Sequence, residues 1–299
     1  MTKRVTVVPA STKAGKATIQ ALLNTENPPL IRGIYRDLAK APAEFTKHPN
    51  FEATTGDVSA GSGLDFTGSD AVFYIPPPTY DGADIGEFAT RAANNVKEAL
   101  QSVPRVQKLL LFSSMGAQYS HSIGILKINH ISDNILKDSV PKVLMAKAGY
   151  FQENWAHAFE TAQANPPVVY SPITPVDHKI PMVSIVEVGE ICAKVLLDQE
   201  KKDSPYYFDL FGPRDYTALD VKTAVEDIMG KQIEIVPIEK DNLAEFFAQQ
   251  APPHSVPDLV EMVTAALPGG IMAGDFKDTE KTVRGKVELA EALRNLYSA

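Results

Sequence analysis

A single cysteine, Cys192, stands in 299 residues, so no intrachain disulfide can form and no cysteine-rich metal site can be assembled. That scarcity fits a reducing compartment, and a cytoplasmic location is expected. Its neighbours Ile191, Ala193 and Val195 make the thiol read as a small core hydrophobe. Positive charge is also in deficit: 29 Lys and Arg against 37 Asp and Glu give a net charge of -8 and a pI near 5.3. No basic stripe gathers along the chain, which excludes counterion-release binding to nucleic acid or to an anionic membrane. No run approaches the ~20 apolar residues of a membrane span, and Lys3-Arg4 leads into a strand and a polar loop rather than the apolar core of a secretion signal. The patterns H-E-x-x-H and G-x-S-x-G and any cluster of metal ligands are missing, so metallohydrolase and serine-hydrolase chemistry is excluded and no metal is expected. Internal repeats are absent too.

What is present is a soluble composition, 44% hydrophobic and 22% charged, long enough for a full α/β core with a smaller lobe. Apolar runs alternate with amphipathic stretches through the first half, as a doubly wound parallel sheet of Rossmann type demands. The spacing predicts strands at 5–8, 30–35, 51–55, 71–75, 109–112 and 142–146, with helices at 14–23, 85–103 and 125–136. Beyond that, Pro166-Pro167, Pro172, Pro175 and Pro181 punctuate a loop-rich section, with helices expected at 220–229 and 256–266 and a strand at 232–237. The division expected is a dinucleotide-binding domain over 1–150 and a substrate-binding lobe over 151–299, part of which, about 180–200, returns to the sheet. Gly269-Gly270, Gly274 and Pro268 form a segment that could serve as a lid. In such a sheet the functional residues sit just past the C-terminal ends of the strands. That rule selects 9–14, Arg36, Asp57, Pro76 to Pro78, and Ser113 onward.

The first turn, Pro9-Ala10-Ser11-Thr12-Lys13-Ala14-Gly15, is an eroded phosphate loop. Gly15 occupies the place of the last glycine of G-x-x-G-x-x-G, while Pro9 and Thr12 fill the first two. Proline removes an N–H donor and threonine adds a side chain where phosphate would sit. This loop stands with Tyr35-Arg36-Asp37, Gly56-Asp57, Phe112-Ser113-Ser114-Met115-Gly116, Gly149 to Trp155, Lys179 to Ser184 and Gly212-Pro213-Arg214-Asp215-Tyr216. In that order the motifs resemble those of NmrA-like proteins, an atypical branch of the short-chain dehydrogenase/reductases, and within it the fungal group that includes ergot-alkaloid reductases. The resemblance implies NADP(H) as cofactor and a small-molecule pocket against the C-terminal lobe, with a monomer or homodimer expected. It implies that Ser11, Thr12, Lys13, Ala14 and Gly15 face the diphosphate and that Arg36 pairs with the adenosine 2′-phosphate through its planar fork. Asp57 would accept from adenine, with a turn cap as the competing reading. Pro76, Pro77 and Ser113 would lie along the nicotinamide half, and Met115, Trp155 and His178 would meet substrate.

One element of the wider reductase family is missing. No tyrosine is followed four residues later by lysine, the pair in which tyrosine donates a proton and lysine lowers its pKa. Counted back from Asp133, the two places fall near Ile125 and Asn129, with Lys127 close by as a substitute. Tyr150, Lys127, His130 and Asp177 are therefore the catalytic candidates, with Glu153 and His178 as further proton donors. Three functions remain open. The first is an NADPH-dependent reductase of a C=O, C=N or C=C bond. The second is a redox-neutral isomerase, cyclase or condensing enzyme, and the third an NADP(H)-sensing regulator.

Overall fold

The computed structural model describes residues 3–79, 81–200 and 202–298. It is mixed α/β and divides into two units, the first comprising 1–117, 127–147 and 188–208, the second 118–126, 148–187 and 209–299. In chain order β1 (Arg4–Val8), α1 (Lys13–Leu23), β2 (Leu30–Tyr35), α2 (Ala43–Thr46), β3 (Phe51–Thr55) and β4 (Ala71–Tyr74) open the fold. They are followed by α3 (Ile85–Gln101), β5 (Lys108–Ser114), α4 (Lys127–Leu136) and β6 (Lys142–Ala148). The chain continues through β7 (Tyr150–Phe151), α5 (His157–Ala162), β8 (Val168–Ser171), β9 (Ile180–Val183), α6 (Ile185–Leu197), β10 (Tyr206–Phe211) and β11 (Asp215–Tyr216). It closes with α7 (Ala218–Met229), β12 (Glu234–Pro237), α8 (Leu243–Ala248), α9 (Val256–Ala266), β13 (Thr282–Arg284) and α10 (Leu289–Tyr297).

Eight strands form one large sheet in the order β13-β10-β6-β5-β4-β1-β2-β3. The β1/β2, β1/β4, β2/β3, β4/β5 and β10/β13 pairs are parallel. Covered on both faces, the central strands are continuous apolar runs: all four residues of β4 are buried, and six of the seven of β5. Val8, Ile34, Val72, Tyr74, Leu109, Leu111 and Met145 pack with α3 residues Ala92, Ala93 and Val96 into one core of the first unit. Helix starts follow the capping rules, with Asp84 accepting from the Glu87 amide at 2.8 Å to open α3. At the C-terminal end of α6, Lys108 is buried, and its ammonium donates to the carbonyls of Val195, Leu196 and Asp198 while Lys3 reaches Leu197. Two cations thereby satisfy carbonyls that a helix end leaves without partners. Cys192 lies on this helix, fully buried, and burial pushes its thiol up to about 12, so it stays protonated at neutral pH.

The second unit is more regular than its prolines suggest. A three-stranded sheet, β11-β9-β7, and a parallel β8/β12 pair pack around a core of Trp155, Phe159, Met182, Tyr216, Val221 and Leu293. A reciprocal Thr217/Asp220 capping box opens α7, and Gly230, at φ +65°, ends it in the left-handed conformation. The 268–275 segment is a set of bonded turns. The Met272 amide donates to Ala265, the Gly270 amide to Leu267, and the Asp275 carboxylate accepts from Gln118 and the Tyr119 hydroxyl. Among the described residues no helix is long and apolar enough to cross a membrane.

Candidate functional site

The C-terminal ends of β1, β2 and β3 bring three of the sequence motifs together at one sheet edge. The Ala10 amide donates to Ile34 at 2.9 Å, and the Gly56 amide to Tyr35 at 2.9 Å, so the 9–15 turn, Arg36 and Asp57 follow adjacent strand ends. Thr12 is the cap of α1: its hydroxyl accepts from the Gly15 amide at 3.0 Å and donates to the Pro9 carbonyl at 3.1 Å. A Cβ on Gly15 would stand 2.8 Å from that hydroxyl oxygen and 3.0 Å from the Pro9 oxygen, so only glycine lets the helix seat this closely on the turn. Ala14 is buried there, while Ser11 and Lys13 are exposed.

Arg36 is exposed, one residue past β2. The carboxylate of Asp37 beside it is committed elsewhere, accepting from the Ala39 amide at 2.9 Å to cap a short 3-10 turn. Asp57 holds the turn after β3 through the Ser59 amide at 2.8 Å and hydroxyl at 2.7 Å. Burial pushes its pKa up, but those bonds, the Arg36 charge and the Ala60 amide together hold it below the ordinary carboxylate range. The competing turn-cap reading of Asp57 is thus realised in its side chain. Pro76 is buried and Pro77 half-buried, directly beyond β4.

Ser113, predicted to face the cofactor, points inward. It is buried, and its hydroxyl donates to Asp133 Oδ2 on α4 at 2.6 Å, while Oδ1 of the same carboxylate is buried without a partner. Burial raises Asp133 to about 7; the Ser113 bond and the Lys147 charge pull it down without overcoming that effect. A pKa raised on folding adds stability in full below the unfolded value near 4 and loses it as pH rises through about 7. Asp133→Asn should therefore flatten the stability profile, removing a loss on the order of 4 kcal/mol between pH 4 and 8. Urea titrations of both proteins across that range check it, and parallel profiles would sink the assignment.

The remaining candidates on α4 are tied to the β5–α4 connection. His130 Nδ1 donates to the Ala117 carbonyl at 2.9 Å and Nε2 accepts from the Asn134 amide at 3.2 Å, so both ring nitrogens are engaged. Asn129, at the usual lysine place, donates to the Phe112 carbonyl at 3.3 Å. Lys127, the first residue of the helix, is half-exposed. Met115 is buried.

In the second unit Tyr150 opens β7 opposite Met182 of β9, with its ring edge-on to Trp155 at 6.2 Å. Burial pushes its phenol up to about 12, a hydrogen bond with Asn154 opposing the rise. Trp155 is fully buried among Met182, Tyr216 and Val221 as part of the core of this unit. Glu153 accepts from the Ser184 hydroxyl at 2.9 Å and the Ile185 amide at 3.0 Å, which commits it to the start of α6. His178 donates from Nε2 to the Ala266 carbonyl at 2.9 Å, anchoring its turn to the end of α9, and Asp177 is exposed. Beside that turn lies an open groove of about 850 Å³, lined by Ser122, Thr174, Glu239, Glu261, Leu267 and Ile271 among others.

No protein-family model and no curated protein matches the chain. Solved structures do match it over nearly full length. Triphenylmethane reductase of Citrobacter sp. aligns at 17% identity over 99% of this chain and 100% of that one, with a TM-score of 0.76. An NADPH-dependent quinone oxidoreductase of Escherichia coli, solved with NADPH, aligns at 18% identity over 98% and 99%, with a TM-score of 0.77. Leucoanthocyanidin reductase of Vitis vinifera, in its NADPH complex, aligns at 13% identity over 99% and 100%, with a TM-score of 0.70. At such identities the likeness shows a shared Rossmann-type fold.

Proposed function

We propose that the chain is an NADP(H)-dependent, reductase-like enzyme acting on a C=O, C=N or conjugated C=C bond of a small organic substrate. The observation that carries this reading is Arg36. It is an exposed guanidinium at the end of β2, next to the strand end that carries the 9–15 turn, and its acidic neighbour Asp37 turns one carboxylate oxygen to the Ala39 amide. A free carboxylate at this strand end would select a ribose hydroxyl, whereas an available guanidinium matches a 2′-phosphate. Gly15 supports the same group, because its bare Cα allows the close seating of α1 that a dinucleotide crevice needs. Ser11, Lys13 and Ala14 would line the diphosphate, and Pro76 and Pro77 the nicotinamide half.

When bound, the reduced nicotinamide supplies a hydride. The task left to the chain is a proton. Tyr150 stays protonated at neutral pH, since burial holds its phenol near 12, and it is the donor in this reading. Resemblance of the motifs to the fungal NmrA-like group supports a specialised metabolite, alkaloid precursors included, as substrate. Arg36→Ala should weaken NADPH by roughly 1–3 kcal/mol and leave NADH nearly unchanged. Calorimetry with both nucleotides decides it: equal weakening would remove Arg36 from the 2′-phosphate.

A second reading rests on Asn129. With an amide bonded to Phe112 at the usual lysine place, the chain lacks the group that acidifies a tyrosine in the wider family. That favours a redox-neutral isomerase or cyclase on the same scaffold, in which Tyr150 and Asp177 carry acid–base work.

A further inference from the structure

We propose that Thr12 sets the nucleotide affinity of this chain by closing the start of α1 on itself, so that binding depends chiefly on the 2′-phosphate rather than on the diphosphate. The inference rests on the NADP(H) reading and concerns how the eroded turn accommodates it. Three of the seven positions in the 9–15 turn have no amide to offer an anion. Pro9 has none, the Ala10 amide is used on Ile34, and the Gly15 amide is used on the Thr12 hydroxyl. The hydroxyl's own proton goes to the Pro9 carbonyl, so donating it to a phosphate would break that bond. What a glycine loop gives a diphosphate, a bare Cα and outward amides, is therefore reduced here at two positions of the motif. The exposed guanidinium of Arg36 remains, and a 2′-phosphate is the part of the nucleotide that such a planar fork holds best.

Nothing in the backbone requires this arrangement. Thr12 has φ -67° and ψ 157°, extended geometry open to any residue, and glycine is nearly as good a helix cap. Thr12→Gly should therefore fold, lose the side-chain cap and release the Gly15 amide. Thr12→Ser keeps the hydroxyl and loses only the methyl group.

The test is calorimetry on the full chain with NADPH, NADH and 2′,5′-ADP, a probe that carries the 2′-phosphate without the diphosphate. Thr12→Gly is expected to bind NADPH and NADH about tenfold more tightly and 2′,5′-ADP as before. Thr12→Ser should behave as the parent. Parent binding that is unchanged or weakened in Thr12→Gly overturns the proposal and leaves the NADP(H) reading standing. Tightening in Thr12→Ser equal to that in Thr12→Gly overturns it as well, because the hydroxyl would then not be the cause. Binding in Thr12→Gly where the parent has none supports it in its strongest form. Absence of binding in every variant overturns the NADP(H) reading and the proposal together.

Discussion

Tyr150→Phe should slow turnover by roughly 10²–10⁴-fold while leaving NADPH affinity nearly unchanged. The substitution removes one oxygen. It preserves the ring that packs edge-on to Trp155 at 6.2 Å and the β7/β9 register that places it. Because burial holds the phenol near 12, the donor is fully protonated from pH 6 to 9, so its own ionisation should put no limb in the rate profile over that range. Its acidity is poor for the same reason, and the loss on removal measures how much the positioned proton contributes. Single-turnover rates with saturating nucleotide give the answer. An unchanged rate in the phenylalanine variant would transfer the proton to another group, with Asp177 next to be tested.

Gly189→Leu should be strongly destabilising, lowering the stability of the first unit by more than about 3 kcal/mol. Gly189 lies on α6 where that helix crosses α1, and a Cβ there would stand 2.5 Å from the carbonyl carbon and oxygen of Ala17. Those are backbone atoms, so no rotamer change relieves the contact and one helix must move. Displacing α1 also displaces the turn it caps, because Thr12 and Gly15 join the two through one hydrogen bond. Even alanine, which gains about 1 kcal/mol in helix propensity, should be a net loss. Urea unfolding followed by circular dichroism checks this, and a midpoint unchanged in the leucine variant would show that the crossing is looser than described.

Six of the eight strands of the large sheet, β1 to β6, were legible, most plainly where buried parallel strands are apolar on both faces, whereas β10 and β13 went unread. Ala71–Tyr74 is the plainest case, with all four residues buried and Pro76 to Pro78 just beyond. Short strands were not. A two-residue element such as Tyr150–Phe151 or Asp215–Tyr216 has no period to read, so the small sheet of the second unit was hidden in proline-rich sequence. Site residues selected by the strand-end rule do gather at one edge, but the rule says nothing of where each side chain is committed. Ser113 spends its hydroxyl on Asp133, twenty positions away in sequence, and Asp37 spends its carboxylate on Ala39. His130 and Lys127 share a helix as their spacing requires, yet both imidazole nitrogens are tied to Ala117 and Asn134. Trp155, expected to meet substrate, is packed into the core of the second unit, which no local sequence signal announces. Thr12 carried a local signal, since threonine before a helix is a cap as well as a missing glycine.

The central claim is that this scaffold transfers a hydride, and isotope transfer tests it most directly. The chain should be incubated with NADPH deuterated at the nicotinamide C4 and a panel of small carbonyl, imine and conjugated-alkene compounds, with nucleotide consumption and product mass followed together. One NADPH consumed per product, with deuterium carried into that product, is the predicted result. Product forming in full with NADP+, or with no nucleotide at all, would contradict it and leave the redox-neutral enzyme in its place.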